Sequence, residues 1–331
     1  MTLGPATSES DRLTPVVDDE AAVAATAGKA VEGRSLSRIA WNRLKKDRVA
    51  LGGGIVVLLL ILVAIFAPLI VKAFGHPPTD WHGDLLDPNL GGLPKGALGG
   101  ANKDYLLGVQ PQTGQDVFSQ IVYGARISLL VAFLATLVAL TIGVTLGVVA
   151  GYFGGWVDAL ISRLMDIFLA FPLLLFAIAL ISVLPQQNSI RISVLVFVIG
   201  FFSWPYIGRI IRGQTLSLRE REFVEAARST GARSPRILFR ELLPNLAAPI
   251  LVYGTLIIPT NILFEAALSF LGVGVQPPTS SWGKLLSEAV DFYEADPLFM
   301  IVPGLAIFIT VLAFNLFGDG LRDALDPKAS R

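Results

Sequence analysis

Few side chains in this 331-residue chain could do chemistry, and their spacing limits what that chemistry is. Arg163 and Asp166 stand three residues apart beside long uncharged runs, so a helix would put both on one face, where they can neutralise each other. A structural ion pair fits them better than a proton relay. Glu265 follows 23 uncharged residues, Leu242 to Phe264, and no basic residue occurs before Lys284. A carboxylate there either reaches for the interface or the Gly-rich turn that follows, or serves an external gate. There is no cysteine, which excludes disulfides, thiolate metal sites and a cysteine nucleophile. His76 and His82 are the only histidines and argue against a zinc centre. No G-x-x-x-x-G-K-[ST] phosphate loop occurs, nor any nucleophile–base cluster, so no catalytic, cofactor-binding or metal-binding residue is assigned.

The elements that must carry these residues are membrane spans. Apolar residues make up 53% of the chain and charged residues only 16%, with a mean hydropathy of +0.65, the balance of a polytopic membrane protein. Uncharged runs extend from Val49 to Val71, Ile127 to Val157, Ile167 to Ile190, Ile192 to Gly208, Leu242 to Phe264 and Pro297 to Gly318. A hydrocarbon core of about 30 Å needs about 17 to 25 helical residues, so six spans are expected. The second run is long enough to include an interfacial turn at GYFGGWV, and Gly143, Gly147 and Gly151 give it a smooth stripe for helix packing.

Lys and Arg orient the bundle. Eight fall in residues 1–48, eight in 209–240 and three in 322–331, against six in the segments that would lie outside. The positive-inside rule then places both termini in the cytoplasm. Residues 1–33 read as a disordered cytoplasmic tail, 34–72 as a basic amphipathic segment and first span, and 73–126 as an external loop. Residues 127–319 form the transmembrane core and 320–331 a cytoplasmic tail. Within the core, 213–245 is a basic cytoplasmic loop.

That loop contains EAARSTGARSPRILFRELLPN, residues 225–245, where Arg228, Arg233, Arg236 and Arg240 interrupt an otherwise apolar chain. The pattern predicts two short helices. Phe223, Val224, Ala226 and Ala227 supply an apolar stripe, and Gly231 stands where a left-handed residue would end the first helix. Ser234 offers an N-cap and Pro235 a first-turn residue for the second, which Pro244 closes. On charge alone this would be an ordinary inner loop. A DNA-binding helix-turn-helix is disfavoured because Glu220, Glu222, Glu225 and Glu241 would repel phosphate.

The order Glu225, Ala226, Ala227, then Gly231, then Leu243 and Pro244 resembles the EAA motif of ATP-binding-cassette importer permeases, with Glu241 departing from an apolar position. Further segments resemble the C-type permease of dipeptide, oligopeptide and nickel importers: RLKKDRVALGGGIVVLLLILVAIFAPLI, YGARISL, GGWVDALISRLMDIFLAFPLLL, EAALSFLGVGVQPPTSSWG and FGDGLRDALDP. The external stretch LGVQPQTGQDVFSQ, residues 107–120, departs from that pattern but keeps Gly108, Gly114 and Asp116.

The resemblance implies an all-α membrane protein, a six-transmembrane-helix type I ABC importer permease with an N-terminal cytoplasmic amphipathic segment, in a prokaryotic plasma membrane. It implies that Glu225, Ala226, Ala227, Arg228, Gly231, Leu243 and Pro244 couple the chain to an ATPase. The implied partners are a homologous permease, two cytoplasmic ATPase subunits that hold ATP and magnesium, an external substrate-binding protein and the lipid bilayer, with no nucleic acid. Di- or oligopeptides are the implied substrates. The alternative is an ion-coupled secondary transporter using Asp166 or Glu265, against which the sequence shows no inverted repeat and few intramembrane charges.

Overall fold

The computed structural model describes residues 41–183, 185 and 187–326. The tail 1–33 and the start of the amphipathic segment lie outside the described residues. Residues 41–44 are helical, and Leu44 is buried with Ala50 and Ala324. Helix α1 (Arg48–Ile65) starts where the Asp47 carboxylate accepts from the amides of Val49 and Ala50, an N-cap that meets donors a helix leaves unpaired. The expected first span is two pieces, because the chain kinks at Phe66 before α2 (Ala67–Phe74), whose first turn holds a proline.

Residues 75–116 form an irregular segment containing one two-residue ladder, β1 (Leu86–Asp87) antiparallel to β2 (Leu93–Pro94). Leu86, Tyr105 and Val109 are its small core. The long helix α3 (Val117–Phe153) then begins earlier than expected, taking residues 117–126 from the external loop. Buried Asp116 caps it, accepting from the Phe118 amide at 3.0 Å and the Ser119 hydroxyl at 2.8 Å. Its carboxylate also accepts from the His76 amide at 2.9 Å, which ties the segment to the helix.

The turn expected at GYFGGWV is present: Gly154 and Gly155 take φ of +67° and +53°, a backbone that only glycine adopts cheaply. The expected span from Ile167 to Ile190 is a correction. The chain instead forms α4 (Gly155–Ala170) and α5 (Leu173–Ser182), bent 75° from each other. Phe171 precedes Pro172, and the proline ring drives it into extended backbone (ψ 131°), which stops α4. Helix α6 (Asn188–Leu218) is much longer than its uncharged run.

After the loop come α9 (Leu243–Phe270), the short α10 (Trp282–Ala289) and α11 (Pro297–Leu325). The last helix continues into residues assigned to the C-terminal tail. Among the described residues five helices are long and apolar enough to cross a membrane, and the bent pair α4–α5 makes a sixth if it is one span.

The glycine stripe does what its spacing predicts. A β-carbon on Gly143 would lie 2.8 Å from the Trp204 carbonyl oxygen, on Gly147 2.6 Å from that of Gly208, and on Gly151 2.8 Å from that of Arg212. Helices α3 and α6 therefore run backbone to backbone. Gly53 does the same for α1, 2.9 Å from the Ala313 carbonyl oxygen of α11.

Candidate functional site

The loop from 219 to 242 is built in layers. Its stalk is the charged end of α6. Arg212 makes a bidentate pair with Asp158 of α4, and Arg209 donates to Asp166 at 2.7 Å. Arg219 donates to the Gly151 carbonyl at 3.0 Å. The end of α6 is thus bound to α4 and to the end of α3. The expected Arg163–Asp166 pair does not form; α4 packs along α6, Arg209 takes the carboxylate, and Arg163 has no ion pair among the described residues.

Helix α7 (Glu222–Ser229) follows and ends as the sequence predicts. Gly231 has φ +80°, its amide donates to Arg228 at 2.9 Å, and the Ala232 amide reaches back to Ala227 at 3.0 Å. These two bonds form a Schellman motif, which satisfies carbonyls at the helix end. Ala227 and Ala232 also pack against a buried cluster of Val224, Ile237 and Leu242, with Tyr152 of α3 and Leu218 of α6 beneath. The apolar stripe is narrower than expected: Val224 is buried, Ala227 half-buried, and Phe223 and Ala226 exposed.

The second half corrects the expectation of a separate short helix. Arg233, not Ser234, has the extended backbone of a cap, and its carbonyl accepts the Ile237 amide at 3.2 Å. The three-residue α8 (Ser234–Arg236) runs through one π turn (Ile237–Leu242) straight into α9. Pro244 does not close it. The Leu243 amide donates to the Leu238 carbonyl, five residues back, and this widened turn accommodates a proline that lacks an N–H and would crowd a normal turn. Residues Ser234–Phe270 are one helical run of 37 residues.

What remains outward is compact and chemically mixed. Glu225 and Ala226 are exposed, with no hydrogen bond or ion pair to the Glu225 carboxylate among the described residues. Phe239 is 70% exposed. The Arg228 guanidinium lies 5.6 Å above the Tyr152 ring, a cation–π contact that orients the side chain on the edge of this face. A free carboxylate, a small residue permitting close approach and an unburied aromatic ring can dock a protein partner.

Glu265 is a separate place, about 33 Å along α9 from Leu243 at 1.5 Å per residue. It does not reach for the interface. Its side chain is fully buried and accepts from Ser128 of α3 and Ser269 of α9, each at 2.8 Å. Ser128 in turn accepts the Trp282 amide at 3.3 Å, and Ser269 accepts that of Val275 at 3.2 Å. The carboxylate is the hub joining α3, α9 and residues 275–282. One turn earlier Asn261 donates to Thr136 of α3 at 2.9 Å and accepts from Ser203 of α6. The one signal for Asn261 in the sequence is its position four residues before Glu265, which puts both on one face. Asp158 and Arg212 were also missed, and no local signal links residues 54 apart.

Comparison with known proteins identifies the family of the chain. A family model described as "Binding-protein-dependent transport system inner membrane component" matches residues 143–331. A second, "N-terminal TM domain of oligopeptide transport permease C", matches residues 35–88. The dipeptide transport system permease protein DppC of Alkalihalophilus pseudofirmus is 43% identical over 292 residues, 88% of this chain and 90% of that protein. The oligopeptide transport system permease protein OppC of Escherichia coli is 42% identical over 299 residues, 90% of this chain and 93% of that one. The glutathione transport system permease protein GsiD of Shigella flexneri is 43% identical over 288 residues, 87% and 89% of the two chains. Among solved structures, the MetNI methionine ABC transporter in inward facing conformations aligns with a TM-score of 0.50 at 19% identity, covering 62% of this chain and 95% of that one. That likeness concerns the fold alone.

Proposed function

The chain belongs to the binding-protein-dependent transport system inner membrane component family, and from that premise we propose that it is the permease subunit of an ATP-driven importer of di- or oligopeptides. It forms the path together with a homologous permease. One of two ATPase subunits docks on the exposed face of Glu225, Ala226 and Phe239, and an external protein delivers the substrate. ATP and magnesium are held by the ATPase subunits. Peptide is the favoured cargo because DppC and OppC, each more than 40% identical to this chain, carry dipeptide and oligopeptide in their names.

The observation that carries the coupling role is the continuity of the loop with α9. Val224, Ile237 and Leu242 make the loop one small packed body, and the π turn carries its backbone on into α9 with no break in the helix. A push on the face of α7 would therefore pass into α9, a continuous helical rod that carries Pro249 and Pro259 within it. At the other end of that rod, Glu265 fastens α9 to α3 and to residues 275–282. Closure of the ATPase subunits would tilt α9 against the glycine-lined pair α3–α6, giving alternating access by rigid-body rocking. The ion-coupled alternative has less to work with, since Asp166 is held by Arg209 and Glu265 by two serines.

The test is copurification and transport in one strain. The chain should copurify with ATPase subunits and support ATP-dependent uptake of labelled peptide. Uptake driven by an ion gradient without any ATPase would overturn the proposal.

A further inference from the structure

At the end of α3 opposite the loop, a cavity of about 380 Å³ opens between residues 79–81, 110–120 and 277–288. That volume lies within the range of about 300 to 1,000 Å³ typical of ligand sites. Its wall is rich in carboxamides. Gln120 is fully engaged: its Nε2 donates to the Pro78 carbonyl and to Gln115 Oε1, both at 2.8 Å, and its Oε1 accepts from Ser280. Gln110 is not. Its Nε2 donates to Glu288 Oε2 at 3.1 Å, and because an ionised carboxylate only accepts, this bond fixes which end of the amide is which. Its Oε1 is then an acceptor that no described group supplies with a proton, on a residue only 6% exposed. Buried acceptors are seldom left in that condition.

The surroundings define what could supply the donor. Lys284 pairs with Glu288 on α10, so the two charges cancel and the cavity favours neither a free cation nor a free anion. A neutral N–H donor is what fits beside them. Trp81, 72% exposed on the rim, adds a flat apolar surface. An extended peptide presents N–H donors alternating with carbonyls. One N–H can meet Gln110 Oε1, while a carbonyl is within the repertoire of the Lys284 ammonium and the Thr79 and Thr113 hydroxyls that line the same wall.

We infer that this cavity, formed by Gln110, Trp81, Lys284 and Glu288, is a binding site for a short extended peptide, recognised through its backbone N–H groups. The choice of ligand rests on the peptide-import reading and deepens it by placing a holding site on this chain at the end opposite the coupling loop. Such a site would favour main chain over side chain, and so accept peptides of varied sequence.

The test uses the full chain in lipid nanodiscs and two neutral probes, N-acetyl-trialanine amide and N-acetyl-trisarcosine dimethylamide, the second of which has no N–H. Tryptophan emission, with Trp81→Phe as the control for its source, should show saturable binding of the first probe and binding about tenfold weaker for the second, the size of effect expected from lost hydrogen bonds. Gln110→Met keeps the side-chain length, and should weaken the trialanine probe by a similar factor with an unchanged melting temperature. Equal binding of the two probes, absence of saturable binding, or full affinity in a well-folded Gln110→Met chain would overturn the site. Labelled-tripeptide uptake by the assembled transporter separates the two readings. Uptake without probe binding removes the site and leaves import standing; probe binding without wild-type uptake removes import and leaves the site.

Discussion

Gly231 offers a measurement in which conformation and space can be told apart. Its φ is +80°, and a β-carbon built on it meets no atom within 4 Å. Any penalty for substitution is therefore a backbone penalty. A left-handed conformation costs an L-residue about 1 to 2 kcal/mol, least for Asn and most for a β-branched side chain. If the residue leaves that conformation, the Gly231-to-Arg228 and Ala232-to-Ala227 bonds go with it, and α7 loses its angle to the run beginning at Ser234. A shift of that size changes the population of the correctly formed loop by a factor of about 5 to 30. The series Gly231→Asn, Gly231→Ala and Gly231→Val should therefore rank Asn above Ala above Val in ATP-driven peptide uptake per unit of membrane-inserted chain. ATPase copurification should fall in the same order. Gly231 lies between the candidate spans Asn188–Leu218 and Ser234–Phe270, so abundance should stay level. A ranking by side-chain volume, with Ala above Asn, would refute the conformational argument, and a Val variant as active as wild type would refute the role of the loop itself.

Four further outcomes follow from other parts of the chain. Cysteines introduced singly at the exposed positions Lys103 and Thr230 should label from opposite sides of the membrane, external and cytoplasmic respectively; labelling of both from one side would overturn the topology. Gly147→Val should reduce abundance and melting temperature by overpacking α3 against the Gly208 carbonyl 2.6 Å away, at about 1 to 3 kcal/mol, while Gly213→Val, with open space around it, should be far milder. Glu265→Leu should cost about 1 to 3 kcal/mol by leaving the Ser128 and Ser269 hydroxyls without their acceptor, and Glu265→Gln should retain most of the stability, both read from thermal melts. Burial pushes the Asp296 carboxyl above the usual aspartate range, so the folded chain holds its proton more tightly than the unfolded one; stability should fall as pH rises through that window, and Asp296→Asn should flatten the dependence.

The features legible in the sequence are those fixed by one residue or by a short spacing. Gly231 was readable because a single φ decides whether a helix can end there, and Gly143, Gly147 and Gly151 because four-residue spacing alone makes a stripe. What failed needed knowledge of a neighbour. Asp166 has a plausible partner three residues away and an actual one 43 residues away, and only the packing of α4 on α6 chooses between them. Pro244 reads as a stop because a proline costs a regular helix a hydrogen bond and crowds the preceding turn, yet a turn widened by one residue eases both, and whether a turn widens depends on what it packs against, here Val224 and the end of α6.

The span boundaries failed for a related reason that also bears on function. Counting uncharged residues assumes that a charge ends a membrane helix, whereas α4 and α6 carry Asp158, Asp166, Arg209 and Arg212 within their length. Each carboxylate meets a guanidinium on the facing helix, so neither charge stands alone where the surroundings are apolar. The pairing lets α6 run on to Leu218 as a rigid stalk, and the loop begins at the end of that stalk rather than at the end of an apolar run. A basic loop that merely followed the charge bias would need no such extension. Here the paired charges carry helix out to the place where Val224, Ile237 and Leu242 can pack on Tyr152 and Leu218, which is what turns a positively charged connection into a solid surface.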